Sequence, residues 1–100
     1  MREKRGRALG RPRSIKYLHF DPKVRYFKPR GVPLSVLEEV VLSKEEIEAL
    51  RLKNLEGLDQ IECAKKMRTS QSTFQRILSL AYKKLSEAIV EGKAVKIIDN

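Results

Sequence analysis

Three features of the sequence predict a mainly α fold of three or four helices, with short extended segments at its N- and C-termini. A Ser-x-x-Glu capping box, Ser43 to Glu46, opens residues 43–57. A second start signal, Asp59 with Glu62 three residues on, opens 58–67. Phe74, Ile77, Leu78, Ala81, Leu85, Ala88 and Ile89 then follow helical spacing through 70–92.

Residues 1–13, MREKRGRALGRPR, carry six Lys+Arg, two Gly and one Pro with few apolar side chains. Such a stretch cannot bury enough surface to order itself, which predicts a flexible basic arm. Residues 14–100 then form one domain, long enough for a modest core. In 14–33, SIKYLHFDPKVRYFKPRGVP, Ile15, Tyr17, Val24 and Tyr26 predict short extended pieces that Pro22, Pro29 and Pro33 interrupt. Pro33 suits the first turn of a short helix over 33–42, before Val40, Val41 and Leu42 turn extended.

In 43–57, Glu45 and Glu46 complement the positive end of the helix dipole, and Gly57 suits the position past the C-terminus. Ile47, Leu50 and Leu55 share the apolar face, widened by Ala49 and Leu52. In the short helix 58–67, Ile61, Ala64 and Met67 share a face that Cys63 borders. Ser70 caps the long helix and Gly92 ends it. The last segment, KAVKIID (93–99), alternates enough for a terminal strand paired with part of 15–27.

No apolar run approaches the roughly 18 residues of a membrane span, and none follows the basic start as in a secretory signal. The single cysteine, Cys63, excludes an internal disulfide framework. These features predict a cytoplasmic protein with no membrane partner. His19 and Cys63 are the good soft metal ligands and lie far apart in sequence, so neither a metal nor a cofactor is expected. There is no Ser/His or Cys/His set with an orienting group and no Gly-rich phosphate loop. Glu45, Glu46 and Glu48 are read as helix-capping and solvated groups, and the chain as no enzyme.

The formal charge of +9 is segregated. Residues 1–30 hold 11 Lys+Arg against 2 Asp+Glu, residues 31–64 hold 3 against 8, and residues 65–100 hold 8 against 3. A polyanionic partner would use both basic blocks and leave the acidic middle to pack or to face another protein.

Residues 59–91 have the pattern of a helix-turn-helix: a short helix, a tight turn and a second helix with a polar front. Ala64 is small where the helices cross, and Ile61, Met67, Phe74 and Ile77 fill the angle. With Phe74, Ile77 and Leu78 inward, Gln71, Ser72, Gln75 and Arg76 project the other way. Gln pairs bidentately with adenine and Arg with guanine, so these four are the expected base-reading residues. Gln60, Arg68, Thr69, Ser70 and Lys83 are the expected phosphate contacts, and Ser79 continues their face. Arg11 and Arg13 on the arm would enter a minor groove or follow the backbone. Arg68 stands where the turn favours a left-handed backbone, which costs a side chain about 1 kcal/mol relative to glycine. The expected function is sequence-specific double-stranded DNA binding in transcriptional regulation. The plainer alternative is a small helical bundle whose polar N-terminal turn is a solvated cap.

Tyr26-Phe27-Lys28-Pro29 with Gly31, Leu37-Glu38-Glu39-Val40, Glu48-Ala49-Leu50-Arg51-Leu52 and Glu91-Gly92-Lys93 carry a resemblance over residues 11–98. The chain resembles a small family of bacterial and archaeal proteins that is uncharacterised and presumed to bind DNA. That family's helix-turn-helix looks like the promoter-binding C-terminal region of sigma factors. The likeness implies DNA contact through Gln71, Ser72, Gln75 and Arg76, and does not imply transcription initiation.

Two other functions compete. Tyr17, Phe20, Tyr26 and Phe27 interleave with Lys16, Lys23, Arg25, Lys28 and Arg30, a composition that suits RNA or single-stranded nucleic acid. The same aromatics would serve equally as core over the helices. The acidic segment 38–62 suits a protein-interaction adaptor for the transcription machinery. The apolar second half of the long helix needs a cover, from residues 15–42 or from a second copy, and a homodimer is expected.

Overall fold

The computed structural model describes residues 20–99. The expected arm 1–13, with Arg11 and Arg13, lies outside the described residues, as do Ile15, Lys16, Tyr17 and His19. The elements in order are β1 (Tyr26–Phe27), β2 (Glu39–Ser43), α1 (Lys44–Leu50), α2 (Gln60–Lys66), α3 (Gln71–Glu91) and β3 (Ala94–Ile98). Three helices and a three-stranded sheet make the described fold mixed α/β, which corrects the mainly α expectation.

The correction has one physical source. β3 is the central strand, in the order β1-β3-β2. It pairs antiparallel with β1, Tyr26 opposite Lys96 and Phe27 opposite Val95, the pairing of 93–99 with part of 15–27 that the sequence predicted. It also pairs in parallel with β2, Val40 opposite Val95 and Leu42 opposite Ile97. Parallel neighbours need a long crossover, and all three helices supply it here. Nothing local in 39–43 marks a partner about 55 residues away.

Helix starts follow the sequence closely. Ser43 accepts the Glu46 N–H at 3.2 Å while the Glu46 carboxylate accepts the Ser43 N–H at 2.9 Å. Asp59 accepts the Glu62 N–H at 2.8 Å, and Ser70 accepts the Thr73 N–H at 3.1 Å. Gly92 ends α3 in the left-handed region at φ 69°. Pro33 caps a 3₁₀ turn over Leu34–Val36 in place of the expected short helix.

The end of α1 departs from expectation. Residues 51–55 continue it as a π-turn. The Asn54 side-chain amide donates to the Leu50 carbonyl at 3.3 Å, competing for the acceptor that an α-turn would use. The wider turn rotates the register. Leu52 enters the core and Leu55, expected inside, is 82% exposed. Gly57 then reverses the chain at φ 72°, and the Leu58 N–H closes on the Leu52 carbonyl at 3.1 Å.

α3 joins two apolar clusters. Ala49, Leu52, Cys63, Ala64, Met67, Phe74 and Leu78 bind α1, α2 and the front of α3. Leu42, Ala81 and Ile97 bind the sheet to its middle. Ile61 and Ile89, both expected inside, are exposed. Glu46, read as a capping group, and Glu48, read as a solvated one, are both buried. Glu46 completes the capping box and binds Lys84 at 3.0 Å. Glu48 takes a two-point contact from Arg51, Nε to Oε1 and Nη2 to Oε2, each 3.0 Å.

Candidate nucleic-acid interface

α2 and α3 meet through Met67–Ser70, and the geometry of that connection follows from its hydrogen bonds. The Thr69 N–H donates to the Ala64 carbonyl and the Arg68 N–H to the Lys65 carbonyl, each at 3.0 Å. These are the two bonds of a Schellman motif. The motif needs a left-handed residue, and Arg68 fills it at φ 56°, the one non-glycine residue with positive φ among those described. The left-handed position expected at Arg68 is therefore present. Ser70 follows in extended conformation and caps α3.

Burial of Phe74, Met67, Ala64 and Cys63 then sets the rotation of α3. Phe74 and Leu78 point inward and Ile77 is half-buried. Gln71, Ser72, Gln75 and Arg76 are all exposed, with Ser79 and Lys83 continuing their face. From Ser72 to Lys83 this face runs about 16 Å at 1.5 Å per residue. Ser70 and Arg68 are exposed beside it, and Thr69 and Gln60 are half-buried. Apart from Arg11 and Arg13, the structure places the sequence-predicted residues on α3, on the turn before it and, for Gln60, at the start of α2.

The polar groups there have spare capacity. The Gln75 amide donates to Ser79 Oγ at 3.1 Å, a contact between two exposed and readily displaced side chains. Ser70 Oγ donates to Thr73 Oγ1 at 2.9 Å. No acid lies between Glu62 and Glu87, while Lys65, Lys66, Arg68, Arg76, Lys83 and Lys84 fall in that interval. Lys84 binds Glu46. Lys65, Lys66 and Arg76 have no carboxylate partner among the described residues.

Lys65 and Lys66 were not among the residues singled out in the sequence, yet they stand exposed in the last turn of α2, beside Arg68. Their position also complements the helix dipole. The acid-free run 63–86 is the sequence signal that marks them.

The remaining chemistry-bearing residues are occupied elsewhere. Cys63 is buried, burial pushes its thiol pKa up, and its Sγ rests 3.6 Å from the Leu58 carbonyl. Among the described residues no three His, Cys, Asp or Glu side chains group as a metal site would require. Tyr26 donates to Glu39 at 2.7 Å, a bond that raises the pKa of its hydroxyl. Phe20 lies under the Arg51 guanidinium, 5.7 Å from ring centroid to Cζ. No helix among the described residues is long and apolar enough to cross a membrane.

Residues 3–99 match the family described as Protein of unknown function DUF134, and the chain belongs to that family. It is 52% identical to the UPF0251 protein TTE1845 of Caldanaerobacter subterraneus subsp. tengcongensis, over 89% of this chain and 75% of the relative. It is 49% identical to the UPF0251 protein Teth39_0655 of Thermoanaerobacter pseudethanolicus over the same shares. With the UPF0251 protein of Moorella thermoacetica it shares 52% identity over 89% of this chain and 60% of the relative. No solved structure matches the chain.

Proposed function

We propose that this DUF134 chain is a sequence-specific double-stranded DNA-binding protein, and through that a transcriptional regulator. On this reading 59–91 is a helix-turn-helix with α3 in the major groove, similar to the promoter-binding helices of sigma factors. Gln71, Ser72, Gln75 and Arg76 read base edges, Gln and Arg by bidentate pairing. Gln60, Arg68, Thr69, Ser70 and Lys83 hold phosphates, and Lys65 and Lys66 join them. Arg11 and Arg13 add backbone or minor-groove contact.

One observation carries the proposal: an outward face rich in uncharged hydrogen-bonding groups sits inside 24 residues without an acid. Solubility alone favours interspersed charges of both signs. A polyanion supplies the missing counter-charge, and polar groups among the cations supply discrimination.

The competing readings have less support. Tyr26 and Phe20 are engaged with Glu39 and Arg51, leaving Phe27 as the freest described ring for base stacking. In the acidic segment Glu39, Glu46, Glu48, Glu56 and Asp59 serve internal contacts, which leaves little for an adaptor.

The test is equilibrium binding to duplex DNA, single-stranded DNA and RNA across a salt series. Duplex preference, with a salt slope that falls by about one for each of Lys65→Ala and Lys66→Ala, is the expected result. Preference for single strands, lost in Phe27→Ala, would assign nucleic-acid contact to the β1 segment instead.

A further inference from the structure

The helices do not cover the whole sheet. α3 packs on β2 and β3, and Phe27 on β1 remains 55% exposed on the same side. Beside it Ile89, in the last turns of α3, is 80% exposed. Phe27, Pro29, Ile89 and Val95 line a groove of about 300 Å³ whose rim includes Lys28 and Lys93.

The charges around this groove are unbalanced in two separate places. Lys93 faces three carboxylates: Glu87 at 2.6 Å, Glu91 at 3.2 Å and Glu38 at 3.5 Å. One ammonium shared among three carboxylates leaves this cluster with net negative charge. Lys28 spends its ammonium on the Pro29 carbonyl at 2.9 Å, and Arg30 is exposed, so neither meets a carboxylate among the described residues. A net negative cluster around Lys93 and two cations without a carboxylate among the described residues thus flank one apolar groove.

A patch with an apolar centre and separate charges of both signs is complementary to itself under a two-fold axis. We propose that the occupant of this groove is a second copy of the chain. Phe27 and Ile89 of each copy pack on those of the other, and Lys28 and Arg30 of each face Glu38 and Glu91 of the other. One consequence rests on the DNA reading above, although the interface itself does not. Ser72 lies 17 residues before Ile89, or about 25 Å along α3. Two reading ends joined near Ile89 therefore stand at most about 50 Å apart, and one DNA turn of about 34 Å falls within that reach.

Sedimentation equilibrium of the full chain without DNA tests the interface. A dimer is expected. Ile89→Asp should yield a folded monomer with wild-type helix content by circular dichroism, because Ile89 contributes little to the core of one copy. The pair Lys28→Glu with Arg30→Glu should raise the dimer Kd at least about tenfold. Glu38→Lys with Glu91→Lys should do the same, with Glu87 still holding Lys93, and all four changes together should restore the dimer. Three results would overturn the interface: a wild-type monomer up to about 100 µM, a dimer that survives Ile89→Asp, or a fourfold variant no tighter than either pair. With no DNA in the cell, each of these leaves the DNA-binding proposal standing.

Discussion

Two groups of cations in the molecule are treated in opposite ways. Around the sheet and α1, five of them hold carboxylates: Arg25 with Asp21 and Asp99, Lys44 with Asp21, Arg51 with Glu48 and Glu56, Lys84 with Glu46, and Lys93 with Glu87. At the end of α2 and the front of α3, Lys65, Lys66 and Arg76 hold none among the described residues. In the first region a positive charge helps to build the fold. In the second it adds nothing visible to packing, and an outside counter-charge accounts for it. Changes in the first region should therefore alter stability, and changes in the second should alter binding.

The largest effect is expected at Arg51. Arg51→Ala takes the two-point partner from a fully buried carboxylate and should cost about 3 kcal/mol or more, read from urea unfolding. A loss below about 1 kcal/mol would show that Glu48 is held by other groups and would blur the contrast.

Arg76→Ala comes next and belongs to the other region. Stability should stay within about 0.5 kcal/mol of wild type, as for an exposed site. Discrimination between sequences should fall by about 1–3 kcal/mol, read from competition between duplexes. An equal loss on every sequence would leave Arg76 a phosphate contact with no part in reading bases.

Arg68→Gly sharpens the account of the turn. Relief of the left-handed backbone at φ 56° should raise stability by about 0.5–1 kcal/mol. Weaker DNA binding in the same variant would mark the side chain as a phosphate contact.

The smallest effect concerns acid. Lys44, with help from Arg25, holds the Asp21 carboxyl below the usual carboxylate range. The pair's stabilisation is thus complete above that range and is lost as pH falls through the lowered folded value. Wild type should lose more melting temperature than Asp21→Asn on acidification below about pH 4. Parallel losses would remove Asp21 from the acid response.

What the sequence made readable was local. Ser43 with Glu46, Asp59, Ser70 and Gly92 act within a turn of their own positions, and each does so in the fold. The exposure of Gln71, Ser72, Gln75 and Arg76 was equally readable, because Phe74 and Leu78 set the rotation of one helix. Long-range and competing interactions were hidden. The parallel pairing of β2 with β3 depends on residues from opposite ends of the chain. The π-turn at 51–55 depends on Asn54, which also exchanges hydrogen bonds with Tyr82 of α3, and it turned Leu55 outward. Ile89 sits at the edge of the apolar stripe, and helical spacing alone could not show that nothing among the described residues covers it.

The most direct test of the central claim is selection from random duplex DNA by the purified full chain at about 150 mM salt, where non-specific phosphate binding is already weak. An enriched motif that Arg76→Ala relaxes is the expected result, with two half-sites for a dimer. No enrichment, with duplex binding that disappears as salt rises, would contradict it and leave the front of α3 a solvated cap.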